Sequence, residues 1–311
     1  MEWDVVVVGG VSTDYLVKGQ KLPTPGESLQ GDLFLEAAGG NGANKAVAVA
    51  RLGARVALVA RVGTDDRGKA LVKHLQAEGV DTRYIIYDPD TPTGATVIQI
   101  NEQGEKQMFG APGANQRLAV MDIQAASEAL AATRVLLTQL DVPIDTVTTA
   151  VHLAHEVGVQ VILDPAPVNE LPDGLLPKVS VLKVSTEEAE MLTGVQVHDR
   201  DSAQQAAQHL LKRGVGAVAI QAGEEGNLLI WHDGEYWLPE VPCGTIDATG
   251  AGDAFAAAMA VALAEDLTLP EAGFFANTAA ALTTMKLGAQ VSLPQREAVE
   301  ALQLSLKTVQ L

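Results

Sequence analysis

The chain has 311 residues, of which 47% are hydrophobic and only 4% are aromatic, so we expect a large core built from aliphatic side chains. Its formal net charge of −18 argues against nucleic acid or an anionic membrane as the main partner. The single cysteine, Cys243, and the acidic first residues favour a reducing compartment, so we expect a cytoplasmic protein without a membrane span.

Short β-branched runs alternate with helical patterns along most of the chain. The runs predict buried parallel strands at residues 5–8, 56–60, 135–139, 159–163, 179–184 and 215–220. Apolar periodicity between them predicts helices at residues 44–52, 68–78, 123–131, 144–156, 186–192 and 203–213. This alternation predicts an α/β fold, in which a Rossmann-like, doubly wound and mostly parallel sheet carries helices on both faces.

Two segments interrupt the alternation and predict a second, smaller sheet. Residues 15–38 lack helical periodicity, and residues 96–100 and 106–109 read as short strands joined by a turn. We expect a β lid built from about residues 15–38 and 92–112, placed over the crevice of the main sheet. No long linker or repeat divides the chain, so residues 1–311 are interpreted as one domain.

The most informative motif is DATGAGDAF at residues 247–255. Gly250 and Gly252 precede an alanine-rich helix, whose first backbone N–H groups and dipole would make a site for an anion. The carboxylate of Asp253 would lie beside that anion and could accept the proton of an attacking hydroxyl. The pattern is typical of phosphoryl transfer to a small alcohol. A tight strand-to-helix turn with an acid at the helix start is the alternative.

A second glycine-rich run, GGNGANK at residues 39–45, also leads into a helix. Its glycines would allow the backbone to approach a ligand closely, and the amides of Asn41 and Asn44 are suited to sugar hydroxyls. A simple helix cap is the alternative for this run. Asp14 is expected at the carboxyl end of the first parallel strand, where open α/β sheets bind ligands.

A third glycine-containing run, at residues 63–70, matches the spacing of a P-loop. However, Ala70 stands where a P-loop needs a hydroxyl for Mg²⁺, and Asp65 would put negative charge where a phosphate should lie. We therefore interpret this run as a structural turn before a helix.

Taken together, these motifs resemble the signatures of the ribokinase (PfkB) family of carbohydrate kinases over essentially the whole chain. The two main signatures lie at residues 39–46 and 247–255, and shorter similarities lie at residues 9–14, 23–27 and 164–167. The resemblance implies a ribokinase-like fold and transfer of the ATP γ-phosphoryl group to a primary hydroxyl of a pentose such as ribose. It also implies Mg²⁺, K⁺ and a homodimer formed through the lid.

The resemblance also implies roles for individual residues. Asp253 would be the catalytic base, and Gly250, Ala251 and Gly252 would form the anion hole. The implied sugar-binding residues are Ser12, Asp14, Gly40, Asn41, Asn44, Asp141 and Asp253. The implied nucleotide-binding residues are Ser185, Glu188, Gln221, Gly223, Gly226 and Asn277. Glu188 would also hold Mg²⁺ through water, and the implied neighbours of a monovalent cation are Asp247, Thr249, Gly288 and Ser292.

Five positions depart from the family pattern. Ribokinases usually carry Lys, Asn and Glu where this chain has Asn41, Ser12 and Asp141, so side chains around the sugar are shorter or less charged. Near the phosphates, Ser185 replaces an amide and Gln221 replaces a common Thr. The sugar therefore stays open, with a nucleoside, a ketohexose or a keto-deoxy sugar acid as alternatives. A non-catalytic sugar- or nucleotide-binding protein is an alternative from a different class.

Overall fold

The computed structural model describes residues 2–168, 170–222 and 226–309, which form a layered α/β structure. The strands in chain order are β1 (Val5–Val8), β2 (Ser12–Lys18), β3 (Leu33–Gly39), β4 (Val56–Gly63), β5 (Ile85–Asp88), β6 (Gly94–Ile100), β7 (Lys106–Ala111), β8 (Val135–Gln139), β9 (Gln160–Asp164), β10 (Val181–Val184), β11 (Ala217–Gln221), β12 (Gly226–Trp231) and β13 (Gly234–Pro239). The α-helices are α1 (Asn41–Arg51), α2 (Asp66–Ala77), α3 (Val120–Ala125), α4 (Ser127–Ala131), α5 (Ile144–Glu156), α6 (Thr186–Thr193), α7 (Arg200–Lys212), α8 (Ala251–Ala264), α9 (Leu269–Thr283), α10 (Ala289–Ser292) and α11 (Arg296–Val309).

Across the described residues, the larger sheet has the strand order β13-β12-β11-β10-β9-β8-β1-β4-β5. The strands from β11 to β5 run parallel, whereas β12 and β13 add an antiparallel hairpin at one edge. The four valines of β1 are fully buried between β8 and β4. Val5 and Val7 pack into one core, and Val6 and Val8 pack into a second, because successive side chains of a strand point to opposite faces.

Helices cover both faces of this sheet. α1, α2, α8, α9 and α11 supply side chains to the core on one face, and α3 to α7 supply the core on the other. α8 is buried from Ala254 to Ala264, and its many alanines let α1 and α9 approach it closely. This arrangement confirms the predicted doubly wound, mostly parallel α/β sheet.

The smaller sheet, called the small sheet below, consists of β3, β2, β6 and β7 in that order. Its central pair, β2 and β6, is parallel, and the outer pairs are antiparallel. Leu16, Ile98 and Ile100 form a separate apolar cluster within it. β2 begins only a few residues after β1 ends, so the small sheet starts directly at the carboxyl edge of the larger sheet.

The start of α1 lies against the backbone of the turn that joins β1 to β2. A Cβ atom on Gly42 would lie 2.5 Å from the carbonyl carbon of Gly9 and 2.7 Å from the amide nitrogen of Gly10. Only a residue without a side chain permits this approach, which brings the first turn of α1 to the carboxyl edge of the larger sheet.

The observed elements differ from the predicted ones in a few places. β5, α9, α10 and α11 were not predicted, and the helix expected over residues 123–131 is divided into α3 and α4 at Ala126. α9 is buried on more than one side, from Ala272 to Thr283, so it lacks the single apolar stripe that identifies a surface helix. Among the helices described, none combines the length and apolar character needed to cross a bilayer.

Candidate active site

The N-terminus of α8 forms the predicted glycine turn. Gly250 is the N-cap residue and has a φ of 86°, a left-handed conformation that favours glycine. The amide of Ala251 donates to the carbonyl oxygen of Ala248 at 3.1 Å and is therefore engaged within the turn. Gly252 lines a cavity, and Asp253 completes the first helical turn. The helix start thus presents the positive end of its dipole to this cavity.

Asp253 is held by two neighbouring residues of α1. Lys45 Nζ donates to Asp253 Oδ1 at 2.6 Å, and Asn44 Nδ2 donates to Asp253 Oδ2 at 2.9 Å. Asn44 is oriented in turn by Gln290, whose Nε2 donates to Asn44 Oδ1 at 3.0 Å. The Asp253 side chain remains 12% exposed, so its carboxylate is fixed in position while still reaching the surface of the site.

Lys45 is completely buried and bridges two carboxylates. Its Nζ lies 3.0 Å from Asp164 Oδ2 at the end of β9, in addition to its contact with Asp253. Burial alone would lower the pKa of Lys45, but the charges of Asp164 and Asp253 outweigh that effect and raise it. Lys45 therefore stays protonated and links α1, α8 and β9 through one buried charge.

A second ammonium, that of Lys183 on β10, lies on the other side of Asp164. Lys183 Nζ is 3.3 Å from Asp164 Oδ1 and 4.0 Å from Glu188 Oε2. A Cβ atom on Gly252 would lie 2.9 Å from Lys183 Nζ, so this ammonium flanks the start of α8. Burial would raise the pKa of Asp164, but Lys183 and Lys45 lower it below its ordinary value. The helix start and Lys183 together make a positive site suited to phosphate.

Predicted sugar-binding residues line a cavity of about 560 Å³ between the larger sheet and the small sheet. Ser12, Gly40, Asn41 and Asp141 all contribute to its wall. The amide of Gly10 donates to both oxygens of Asp141, at 3.2 and 3.1 Å. The structure therefore brings together residues that are far apart in the sequence on the side of α1 predicted to bind sugar.

Asp14 and Asp141 are both partly buried acids whose pKa values are influenced by Asp253. Burial raises the pKa of Asp14 to about 6 against hydrogen bonds from Thr96 and Ser12, and the charge of Asp253 adds to the increase. Burial likewise raises the pKa of Asp141 to about 6, opposed mainly by the charge of Lys45. The charge of Asp253 contributes to both increases in pKa, because like charges at short range oppose ionisation.

A second cavity, of about 320 Å³, is lined by two of the predicted nucleotide-binding residues, Ser185 and Gln221. Lys183, Ser185, Gln221, Asn227 and Gly252 belong to its wall. Gly252, the residue before Asp253, lines this cavity, and Asn41, about one helical turn before the Asp253 partner Asn44, lines the 560 Å³ cavity.

Three of the predicted nucleotide-binding residues, Glu188, Gly226 and Asn277, do not line this cavity. Ser185 and Glu188 form a capping box at the start of α6, in which Glu188 Oε2 accepts from the amide of Ser185 at 2.7 Å. Asn277 lies behind the cavity, where it accepts from Asn227 at 2.8 Å and donates to the carbonyl oxygen of Pro239 at 2.9 Å. Gly226 begins β12 opposite Pro239. Gly223 lies outside the described residues.

The residues predicted to surround a monovalent cation come together only in part. Asp247 Oδ2 accepts from the amide of Gly288 at 2.9 Å, and Asp247 Oδ1 accepts from Thr249 Oγ1 at 2.6 Å. Ser292 instead donates to the carbonyl oxygen of Ala289 at 2.7 Å. Lys106 Nζ from β7 also pairs with Asp247, so a charged group of the chain itself lies at this position.

Two other features have no part in this arrangement. Asp65 is the N-cap of α2 and accepts from the amide of Gly68 at 2.8 Å and from Thr93 Oγ1 at 2.6 Å, so the run at residues 63–70 is a capped turn. A cavity of about 700 Å³ is lined mainly by residues of the segment 19–32 that connects β2 to β3, and none of the predicted site residues lines it.

Comparison with known proteins identifies the family. A model described as pfkB family carbohydrate kinase matches residues 3–296. The chain belongs to this kinase family. It is 36% identical over 298 residues to ribokinase from Haemophilus influenzae, covering 96% of this chain and 97% of that protein. It is also 32% identical over 253 residues to deoxyribokinase from Salmonella typhi, covering 81% of this chain and 83% of that protein.

A solved structure agrees with the sequence relatives. The structure of Arabidopsis thaliana ribokinase complexed with ribose and ATP matches this chain with a TM-score of 0.88 and 30% identity, covering 97% of this chain and 99% of that one. The ribokinase-like fold predicted from the two signatures is therefore confirmed.

Sequence reasoning assigned no role to three charged residues of this kinase. Lys45 and Asp164 both lie inside motifs that were recognised, and Lys183 lies in a buried strand. A lysine within a short apolar strand is unusual enough to have been noticed, because a buried ammonium needs a partner. Lys45 gave no such signal, since its place in the first turn of a helix is compatible with full exposure.

The Lys45 bridge yields a test of stability. Lys45→Met would leave Asp253 without an ammonium and Asp164 with only that of Lys183, and we expect the free energy of unfolding to fall by about 3–5 kcal/mol. Lys183→Met is the control, since its side chain is 16% exposed and solvent can partly replace it, so we expect a smaller loss. Urea unfolding measures both, and a loss below about 1 kcal/mol for Lys45→Met would contradict the bridge.

Proposed function

We propose that this kinase transfers the γ-phosphoryl group of ATP to a primary hydroxyl of a pentose such as ribose. The observation that carries the proposal is the position of Asp253, which is bonded to Asn44 of α1, the helix whose Asn41 lines the 560 Å³ cavity, and which directly follows Gly252 in the wall of the 320 Å³ cavity. An acceptor in the first cavity and a nucleotide in the second would meet at this carboxylate. We also propose a cytoplasmic location, which the use of ATP supports.

Each group at this position has a function in the transfer. Asp253 accepts the hydroxyl proton as the sugar oxygen forms a bond to the γ-phosphorus, and the bond from that phosphorus to the β-phosphate bridging oxygen breaks to release ADP. The amide of Gly252, the helix dipole and Lys183 stabilise the charge that develops on the transferred group. Lys45 and Asn44 keep the carboxylate aimed at the hydroxyl during the transfer.

The residues near Glu188 fit a nucleotide-bound Mg²⁺. Within the described part of the chain, no group of three or more His, Cys, Asp or Glu side chains is arranged to hold a metal by itself. Mg²⁺ in phosphoryl-transfer enzymes is usually held by one or two carboxylates, water and the substrate phosphates, so Glu188 suffices as a protein partner through water. When bound, the ion would neutralise charge on the β- and γ-phosphates.

The acceptor is the less defined part of the proposal. The similarity to ribokinases, one of them solved with ribose and ATP, supports ribose. The similarity to a deoxyribokinase supports 2-deoxyribose as a second candidate. Asn41 and Ser12 lie in the wall of the acceptor cavity, where the family pattern has a longer Lys and an Asn. These two residues are therefore in a position to determine which sugar the kinase accepts.

We also propose that the small sheet acts as the lid and as a dimer interface. It supplies Thr96 and Met108 to the wall of the acceptor cavity, so its position controls the exclusion of water from that cavity. Phe109 on β7 is 83% exposed, and Phe34 on β3 is 61% exposed. Large exposed aromatic residues on one sheet favour association, and a second copy of the same sheet is a complementary apolar surface.

The function is tested by replacing the base. Asp253→Asn retains the size of the side chain but cannot accept the proton, so we expect kcat to fall by about 10²–10⁴ while the KM for the sugar changes little. ATP consumption coupled to product formation measures both constants, with ribose and 2-deoxyribose assayed in parallel. Asp233→Asn, at an exposed hairpin turn, is the matched control. An undiminished kcat in Asp253→Asn would refute the role of the base.

The two raised pKa values predict how sugar binding depends on pH. Asp14 and Asp141, with pKa values of about 6, are mostly ionised at pH 7 and accept hydrogen bonds from sugar hydroxyls, but they become protonated as the pH falls. We therefore expect the KM for the sugar to rise by about tenfold between pH 7 and pH 5. The Asp141→Asn variant should bind sugar more weakly at pH 7, and its KM for the sugar should depend less steeply on pH than that of the wild type. A KM that is constant across this range in the wild type would contradict the assignment.

The interface is tested by placing charge on the small sheet. Phe109→Glu should convert a dimer to a monomer, because a desolvated carboxylate at an apolar interface is unfavourable. Light scattering after size-exclusion chromatography measures the mass. Met191→Glu, at an apolar site on α6 that is 68% exposed, should leave the mass unchanged. A wild-type monomer, or a Phe109→Glu dimer, would rule out this interface.

A further inference from the structure

A lysine of the small sheet reaches the turn that leads into α8. Lys106, the first residue of β7, donates from Nζ to Asp247 Oδ1 and lies 2.5 Å from Thr249 Oγ1. The side chain of Asp247 is only 3% exposed, whereas that of Lys106 is 26% exposed. This contact therefore joins the small sheet to the turn that precedes Gly250.

The oxygens of Asp247 are already fully engaged. Oδ1 accepts from the amide of Thr249 at 2.9 Å and from its hydroxyl at 2.6 Å, in addition to Lys106. Oδ2 accepts from the amide of Gly288 at 2.9 Å. Lys106 and Asp247 therefore form an ion pair in which one negative charge is matched by one positive charge.

A monovalent cation does not fit beside Lys106. K⁺ would need the oxygens of Asp247 and Thr249 as ligands, and the Lys106 ammonium is bonded to both. The hydroxyl of Ser292, the remaining predicted neighbour, points to Ala289 instead. An ammonium carries the same single charge as K⁺ and donates directly to the same oxygens, so the electrostatic requirement of the turn is met by the chain itself.

We propose that Lys106 replaces the monovalent cation in this kinase and acts as a positioning residue for the anion hole. The inference rests on the proposed kinase function. Lys106 fixes Asp247 and Thr249, and these residues fix the turn that begins the anion hole at Gly250. Because Lys106 is carried by the small sheet, the turn is completed only when that sheet lies over the acceptor. Closure of the small sheet over the sugar and assembly of the anion hole therefore occur together.

Kinetics at constant ionic strength of about 0.1 M provide the first test. With KCl exchanged for choline chloride, the wild-type kcat should change by less than about twofold. Lys106→Met should lose about tenfold or more in kcat, with a smaller change in the KM for the sugar, and K⁺ or NH₄⁺ should restore part of the loss. If the loss of kcat came from a general structural defect, K⁺ and NH₄⁺ would not restore it.

Lys18→Met is the matched control, because Lys18 and Lys106 are both paired with Ile100 on the small sheet. It should keep its kcat and stay insensitive to K⁺. A wild-type kcat that rises tenfold or more with K⁺ would overturn the inference and leave the kinase assignment intact. A Lys106→Met variant with normal kcat, or with a loss that neither ion relieves, would also overturn it.

Thermal unfolding gives a second test that does not depend on activity. The wild-type Tm should be the same in KCl and in choline chloride, whereas Lys106→Met should show a saturable, K⁺-specific increase of a few degrees, roughly as expected for ligand binding to the native state. A K⁺-specific increase in the wild type would overturn the inference. If no sugar is phosphorylated under any condition, the proposed function fails, and the Tm measurements alone decide whether Lys106 occupies the cation position.

Discussion

The site depends on one buried charge. An ammonium without solvent is costly unless its charge is matched, and Lys45 is matched by Asp253 and Asp164 at 2.6 and 3.0 Å. These three residues belong to α1, α8 and β9, which meet at the carboxyl edge of the larger sheet. The ion pair with Asp253 offsets the energetic cost of burying Lys45, and it also fixes the distance between the two helices that carry the signatures, α1 and α8. The position of the carboxylate at the centre of the site is set by the packing of the core, and not by a flexible loop.

The surrounding elements are arranged around that charge. The missing side chain at Gly42 lets α1 approach the β1–β2 turn, and the alanines of α8 let it lie close to α1. The left-handed Gly250 then turns the chain so that the start of α8 opens on the nucleotide cavity. Gly42, the alanines of α8 and Gly250 have a common effect. Because their side chains are small or absent, α1, α8 and the charged residues they carry can lie closer together than larger side chains would allow.

Much of this architecture could be predicted from the sequence, for a physical reason. Fully buried parallel strands leave continuous β-branched runs, and glycine turns before helices leave recognisable spacings, so the doubly wound sheet and both signatures were found. Helix α9 was missed because it is buried on several sides and has no single apolar stripe. Lys45 and Lys106 were given no role because their partners lie 208 and 141 residues away. A pairing over such a distance depends on the fold, and no local pattern encodes it.

The two cavities differ in what covers them. Residues of the small sheet, including Thr96 and Met108, form part of the wall on the acceptor side, whereas the described wall of the nucleotide cavity comes from the larger sheet, α8 and α9. If the small sheet acts as the proposed lid, its movement opens the acceptor cavity and leaves the described wall of the nucleotide cavity unchanged. Under that proposal ADP would be able to depart while the phosphorylated sugar is still covered, so the placement of the small sheet would set the order in which the two products are released.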